Sequence, residues 1–538
     1  MCKIHPIAVV RWLFVLSVTL ALGTPPAPAQ SVRVVTLDSP APLVVVKVMV
    51  RAGSAHDSAG LEGLAYLTAR MLIEGSFGDP KNPVTKERLA EITRPWGQGA
   101  TPTVQVGKET TTFSMTVPRE VLPRYIAQIF RPMFTQPLFD ARELDRLRAE
   151  TLTTLRSNLR LEQIELVGLV TLDNVLHAGT GYAHPVATER GAEAISREAL
   201  LQFYATYYRP EHLVLGVSTR EEALVASLRD ALAGAGASTA PPLERRPVEP
   251  PPAVQGREVV IVALPNAIST GLHAGFPLSI NRSHPDYWPL YVANVWFGTH
   301  RDSFSYLYDQ IRALRGYNYG DYSYIEHFEN RPFALFPPTG YPRRYQYFSI
   351  WIRPVQHDYA VHLLKALTWE LEHFVRTGLS EEQCALAKNK ARVLYLSLAE
   401  TTERLLGYRL EDEFYGLHPG YLESYLDRID AVSCAQVNAA IKKHLQAANL
   451  KYVVVTDDEV APRIADAIAA NQPAWGKEPV EYQIEVREEN GQKLYLVPET
   501  KRALLERDAV WAHYWLDIPR NRIRIVPAER LFVTAALP

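Results

Sequence analysis

The sequence predicts an α+β protein of two tandem homologous halves, each a mixed, mainly antiparallel sheet covered by helices. Three observations carry this. A chain of 538 residues is too long for one ordinary core. The stretch Ala237 to Gly256 holds six prolines between Pro241 and Pro252, a density that blocks helix and sheet pairing and reads as an extended linker, 237–256. On either side of it, in segments 31–236 and 257–475, the same order of strand and helix patterns recurs. Residues 476–538, beyond Trp475, remain as a C-terminal extension.

Each element follows from a local pattern. In the first half, Val32 to Val35 and Leu43 to Val50 read as strands, the second almost continuously apolar. A helix is expected from Gly60 to Glu74, capped by Asp57 or Ser58. Thr110 to Val117 alternates like a half-buried strand. Helical stretches then run from Asp140 to Leu176 with an interruption near Asn158. A helix at 197–207 and a strand at 213–217 close the half. The second half repeats the theme with a strand at 258–263, a helix at 287–297, a strand at 348–352, long helices and a final strand at 451–455. In the extension, Trp511, Tyr514 and Trp515 are apolar enough to dock on the body or on a partner. Its strand-like Ile523-Arg524-Ile525-Val526 suits addition to a sheet edge equally well.

Hydrophobic content of 47% with 22% charged residues belongs to a globular chain rather than a disordered one. A net charge of -2 demands neither nucleic acid nor an anionic membrane as partner. The first 29 residues stand apart. Lys3 and Arg11 precede the apolar run Trp12 to Leu22, and small residues follow up to Ala29, the pattern of a secretory signal cut near Ala29. The run is about half of the roughly 20 residues that span a bilayer, so no membrane span is expected after cleavage. Loss of the two cations takes the charge to about -4. The expected location is periplasmic or otherwise exported. Cys2 leaves with the signal, and Cys384 and Cys434 remain either as a disulfide or as two buried thiols.

The chemistry is concentrated in two motifs. The first lies in Arg51 to Gly75, RAGSAHDSAGLEGLAYLTARMLIEG. Here the chain resembles the pitrilysin/insulinase family of zinc peptidases, whose signature helix has the form G-L-A-H-x-x-E-H-M-x-x-x-G. Gly63-Leu64-Ala65, Met71 and Gly75 fit that frame without gaps. Tyr207-Tyr208-Arg209-Pro210-Glu211-His212-Leu213 is similar to the family's Y-x-P-x-N-L ending of the first domain. The resemblance extends to about residue 475 and implies a clamshell of two domains. On a helix, histidines at i and i+4 bind one zinc while a glutamate at i+3 activates its water. This chain places Tyr66, Ala69 and Arg70 there. Tyrosine is a poor zinc ligand at neutral pH, alanine cannot be a base, and arginine keeps its charge and repels a divalent cation.

The family's third ligand is a glutamate in an E-x-x-x-x-x-x-E pair, a spacing that Glu143 and Glu150 share. Asp140 with Glu143 also makes a capping-box-like start, and Glu150 can pair with Arg146 on a solvated face. The resemblance favours Glu150 as the relic ligand, and we expect Arg70 to form an ion pair with it in the place of the metal. A compensating site is not expected from His56, His177 or His184, since none has a helical i, i+4 partner. No G-x-S-x-G elbow or P-loop is present.

The second motif lies in Asp302 to Tyr324, DSFSYLYDQIRALRGYNYGDYSY. Asp302 is placed to cap a helix carrying Phe304, Leu307, Tyr308 and Ile311, and Gly316 suits the left-handed turn that ends it. Tyr317, Tyr319, Tyr322 and Tyr324 then alternate as in a strand. Arg312, Gly316 and Tyr319 resemble the family's R-x-x-x-G-x-x-Y element. There the arginine and tyrosine hold substrate carbonyls and stabilise the developing oxyanion. The resemblance thus implies a zinc-less subunit, inactive alone, that binds an extended peptide and supplies Arg312 and Tyr319 to a homologous zinc-bearing partner. Zinc is expected in the partner, and no metal in this chain. The rival expectation is a catalytically dead peptide-binding or assembly scaffold. Phe297 to Arg301 has a single glycine, which departs from the glycine-rich loop of certain non-catalytic partners.

Overall fold

The computed structural model describes residues 31–161, 163–328, 336–472, 485–490, 492–496 and 499–538. The signal-like residues 1–29 and Trp475 lie outside the described residues. The first half contributes β1 (Arg33–Thr36), β2 (Leu43–Val50), β3 (Thr103–Val106), β4 (Thr111–Pro118) and β5 (Leu213–Val217), in the spatial order β1-β5-β2-β4-β3. The second contributes β6 (Glu258–Ala263), β7 (Thr270–Leu278), β8 (Asp321–Tyr324), β9 (Gln346–Val355) and β10 (Lys451–Thr456), in the order β6-β10-β7-β9-β8. The two orders correspond strand for strand. In each, the first and last strands pair in parallel and the other neighbours are antiparallel.

The halves brace each other by exchanging helices. Ile164–Leu176 belongs to the first half in sequence yet packs on β7, β9 and β10 of the second sheet. Thr402–Tyr415 makes the reciprocal crossing onto β1, β2 and β5. The first of these helices is apolar almost all round, as a helix buried between layers must be. Its Val167, Leu172 and Leu176 share one core with Val260, Val262, Val453 and Val455. Gly168 permits the approach, because a Cβ there would stand 2.4 Å from the ring of His273. An ionic group locks the same crossing. Buried Asp173 accepts from Arg343 at 3.0 Å and lies 3.5 Å from Lys108, with His177 at 3.0 Å. Burial opposes its charge, but Arg343 and Lys108 prevail and hold its carboxyl well below the ordinary value.

The C-terminal residues complete the second sheet. β13 (Ile523–Pro527) adds in parallel to the open edge of β6, one of the two fates its sequence allowed. It follows a hairpin of β11 (Glu485–Glu489) and β12 (Gln492–Leu496) and a helix at Glu499–His513. Trp511 is buried beneath Arg315, whose guanidinium lies 4.1 Å from the indole and pairs with Asp508 at 2.6 Å. Trp515 stays exposed. Cys384 and Cys434 form a disulfide with Cα atoms 5.7 Å apart.

Two boundaries differ from expectation. The signature helix runs Leu64–Glu74 and begins four residues later than predicted, since Gly60 and Gly63 sit at φ 80° and 120°. Asp57 still caps it, accepting from the amides of Gly63 and Ala65 at 2.7 Å each. The strand expected from Tyr317 starts only at Asp321, so Tyr319 precedes it in a turn. The interruption near Asn158 is present: Ala141–Thr153 leads into a π-helical turn, Thr154–Leu159, before the next helix starts at Ile164.

Candidate functional site

The signature helix presents Tyr66 and Arg70 to a shallow pocket whose opposite wall is Arg146 and Glu150 from helix Ala141–Thr153. Asp140 caps that helix through the amides of Arg142 and Glu143 at 2.8 and 3.3 Å. The Glu143 carboxylate turns to Arg146 at 2.9 Å. Arg70 donates to Glu150 at 2.7 Å, so the expected ion pair is present, and Glu150 also accepts from Arg146 at 2.7 Å. Arg70 further clamps Glu74 with both Nε and Nη2, at 2.6 and 2.8 Å. Its guanidinium carbon lies 5.6 Å from the Tyr66 ring.

Burial works against this charge, but the bonds to Glu74 and Glu150 outweigh it and raise the guanidinium further above its ordinary value. The Arg70 bond, ahead of Arg146, holds Glu150 below the usual carboxylate range. Ala69 is buried in the core and offers no polar atom. These residues do not fit zinc. A cation already sits against the carboxylate that would ligate it, and neither neighbouring position supplies a nitrogen donor.

Glu74 was missed in the sequence although its i, i+4 spacing from Arg70 made the pair readable. The three histidines set aside there are structural. His56 Nδ1 accepts from the Gly53 amide, His184 Nδ1 contacts the Pro185 carbonyl and His177 meets Asp173. Burial keeps His56 and His184 neutral, each lowered to about 4. Among the described residues, only His284, Asp286 and His444 bring ligand atoms within 4.8 Å of one another. Lys443 Nζ sits 2.7 Å from the Asp286 oxygen that also takes His444, a contact that disfavours a metal. No local spacing in the sequence links this trio.

In the second half, Arg312 lies in a π-helical turn, Tyr308–Ala313, and Gly316 at φ 72° ends it. Asp302 receives the Phe304 amide at 3.0 Å. The structure brings Arg312 and Tyr319 together. The guanidinium lies 4.8 Å from the Tyr308 ring and 5.6 Å from that of Tyr319, and it bonds the Tyr308 hydroxyl. Tyr319 is 75% exposed. Its turn is tied down by Asn318, which donates to Asp321 at 2.7 Å and to the Arg353 carbonyl at 3.0 Å while accepting from the Gly320 amide at 3.1 Å. The described lining of the Arg70–Glu150 pocket includes no residue of the second half. Gly298, the lone glycine before this element, serves a close approach, since a Cβ there would stand 2.3 Å from the Ser323 amide.

The sequence comparisons agree with this architecture. Residues 33–167 match the family described as Insulinase (Peptidase family M16), and residues 194–391 match that described as Peptidase M16 inactive domain. The chain belongs to this pitrilysin/insulinase family. No curated protein matches the sequence. The fold is similar to the peptidase M16 inactive domain from Pseudomonas fluorescens, at 20% identity and a TM-score of 0.67 over 80% of this chain and 96% of that one. It is also similar to a protease from Helicobacter pylori, at 12% identity and a TM-score of 0.66 over 79% and 97%. A chain of complex III2 from Candida albicans gives 13% identity and a TM-score of 0.57 over 78% and 93%. At such identities the likeness is one of fold. Among the described residues no helix is long and apolar enough to cross a membrane.

Proposed function

We propose that this chain is the non-catalytic, zinc-less subunit of an exported insulinase-family peptidase, with a periplasmic location. A homologous partner contributes the zinc, its ligands and the general base, and the substrate is an extended peptide. The observation that carries the reading is the fate of the metal position, where Arg70 is bonded to Glu150 and Glu74 in place of an ion. Arg312 and Tyr319 support the second half of the proposal. The Arg312 guanidinium lies over the Tyr319 ring at 5.6 Å, and Tyr319 projects into solvent, available to a site outside this chain. Both donate to oxygen, and Arg312 brings a permanent charge to a developing oxyanion.

The test is a complex of this chain with its zinc-bearing partner, assayed on peptides with Arg312→Ala and Tyr319→Phe introduced here. Loss of one oxyanion donor costs about 10²–10³ in kcat, and assembly should be unaffected. Activity unchanged in both variants would favour the second reading, an assembly or peptide-binding scaffold. That reading draws on the reciprocal helix exchange, which joins the two halves, and on the fold shared with a chain of complex III2 from Candida albicans.

A further inference from the structure

We propose that the second half carries a separate binding site for the carboxylate of an apolar residue, with Arg301 as its cation. A cavity of ≈ 310 Å³ opens between the helices Tyr287–Gly298, Glu381–Leu398 and Thr402–Tyr415 and strand β8. That is the lower end of the range for small-ligand sites and suits one large side chain with its backbone. Among the described residues, the other cations along its wall are committed. Arg282 at the deep end binds Glu326 at 3.0 Å and Glu411 at 2.6 Å. Lys390 pairs with Asp302. Arg301 lines the same cavity, and its buried Nε has no hydrogen-bond partner among the described residues. Its backbone is held at φ 50°, a conformation that costs energy for any residue but glycine.

A guanidinium never gives up its charge, so a buried Nε–H with no acceptor among the described residues is a defect that a ligand anion would complete. The planar fork matches a carboxylate. Glu326 and Glu411 in the same lining make a second negative charge unwelcome, which favours a carboxylate over a phosphate. The remaining wall sets the rest of the ligand. Tyr324, Phe328, Phe336, Val393 and Leu394 are apolar or aromatic, and the His300 ring packs 4.3 Å from that of Phe328. The ligand chemistry is thus an apolar residue with a free carboxylate, either the C-terminus of a peptide or a small free acid. The inference goes beyond the peptidase-subunit reading and needs no partner chain.

Isothermal titration of the mature chain with acetyl-Ala-Ala-Phe as the free acid and as the amide tests it directly. We expect the acid to bind roughly tenfold more tightly or better. Arg301→Gln should abolish that preference and Arg301→Lys should keep part of it, each with an unchanged melting temperature. N-acetylphenylalanine binding as tightly as the peptide acid would assign the site to small acids, and weaker binding would assign it to peptide termini; both outcomes retain Arg301 as the anchor. Equal affinity for acid and amide in the wild-type chain, or no binding of either, would overturn the site and leave the subunit reading untouched.

Discussion

Replacing Arg70 by methionine removes the guanidinium and keeps a side chain of similar length. Arg70 is 13% exposed, Glu74 20% and Glu150 44%. A fully buried pair costs about 3–5 kcal/mol when broken, and an exposed one about 0–1 kcal/mol. Here Glu74 keeps Lys86 at 3.0 Å and Glu150 keeps Arg146 at 2.7 Å, so neither carboxylate is stranded. Discounting the Glu150 bond for solvent leaves an expected loss of about 2 kcal/mol at neutral pH. The pH dependence has a definite sign. Burial raises Glu74, but Arg70 and Lys86 overcome it, and the Arg70 bond comes first in lowering Glu150, so both carboxyls lie below 4.5. A depressed carboxylate gives stability that is present above its unfolded value and lost as pH falls through the folded one. The penalty of R70M should therefore be full at pH 7, begin to shrink below about pH 4.5 and fall to a packing remnant in stronger acid. Urea unfolding of R70M, E150Q and the double variant reads this out, with a coupling of about 1 kcal/mol expected at pH 7. A coupling within error of zero at pH 7, or a penalty that ignores pH, would refute the reasoning.

Further predictions concern the metal frame and the brace. The triple change Tyr66→His, Ala69→Glu and Arg70→His should create a site for one zinc per chain with Glu150 as third ligand, measurable by metal analysis after dialysis. Failure of the folded triple variant to retain zinc would show that the helix does not hold the family's geometry. Asp173→Ala leaves Arg343 and Lys108 without their shared carboxylate at the crossing of the two halves. It should cost about 3–5 kcal/mol in thermal or urea unfolding, and a loss below about 1 kcal/mol would mean that the cluster contributes little to the brace.

Much of the fold was legible because its signals are local. The repeated strand and helix periods foretold two halves, and the strand orders match position for position. The Arg70–Glu150 pair followed from helical spacing together with the family frame. What escaped prediction has physical causes of two kinds. Tyr319 was read as part of a strand, but the Asn318 side chain replaces strand pairing with a turn. The Asp173–Arg343 pair joins residues 170 apart, the helix exchange likewise joins distant segments, and no period in either segment encodes which sheet a helix will cover. The Arg301 cavity is likewise invisible in sequence, since its walls come from several separate elements.

The most direct test of the central claim is to isolate the tagged mature chain from its native host, identify what comes with it and assay both for metal and peptide cleavage. The account predicts a near-stoichiometric homologous partner with an intact H-x-x-E-H, zinc in that partner and none in this chain, and cleavage only by the complex. Chelator-sensitive cleavage by this chain alone, with zinc bound to it, would contradict the account.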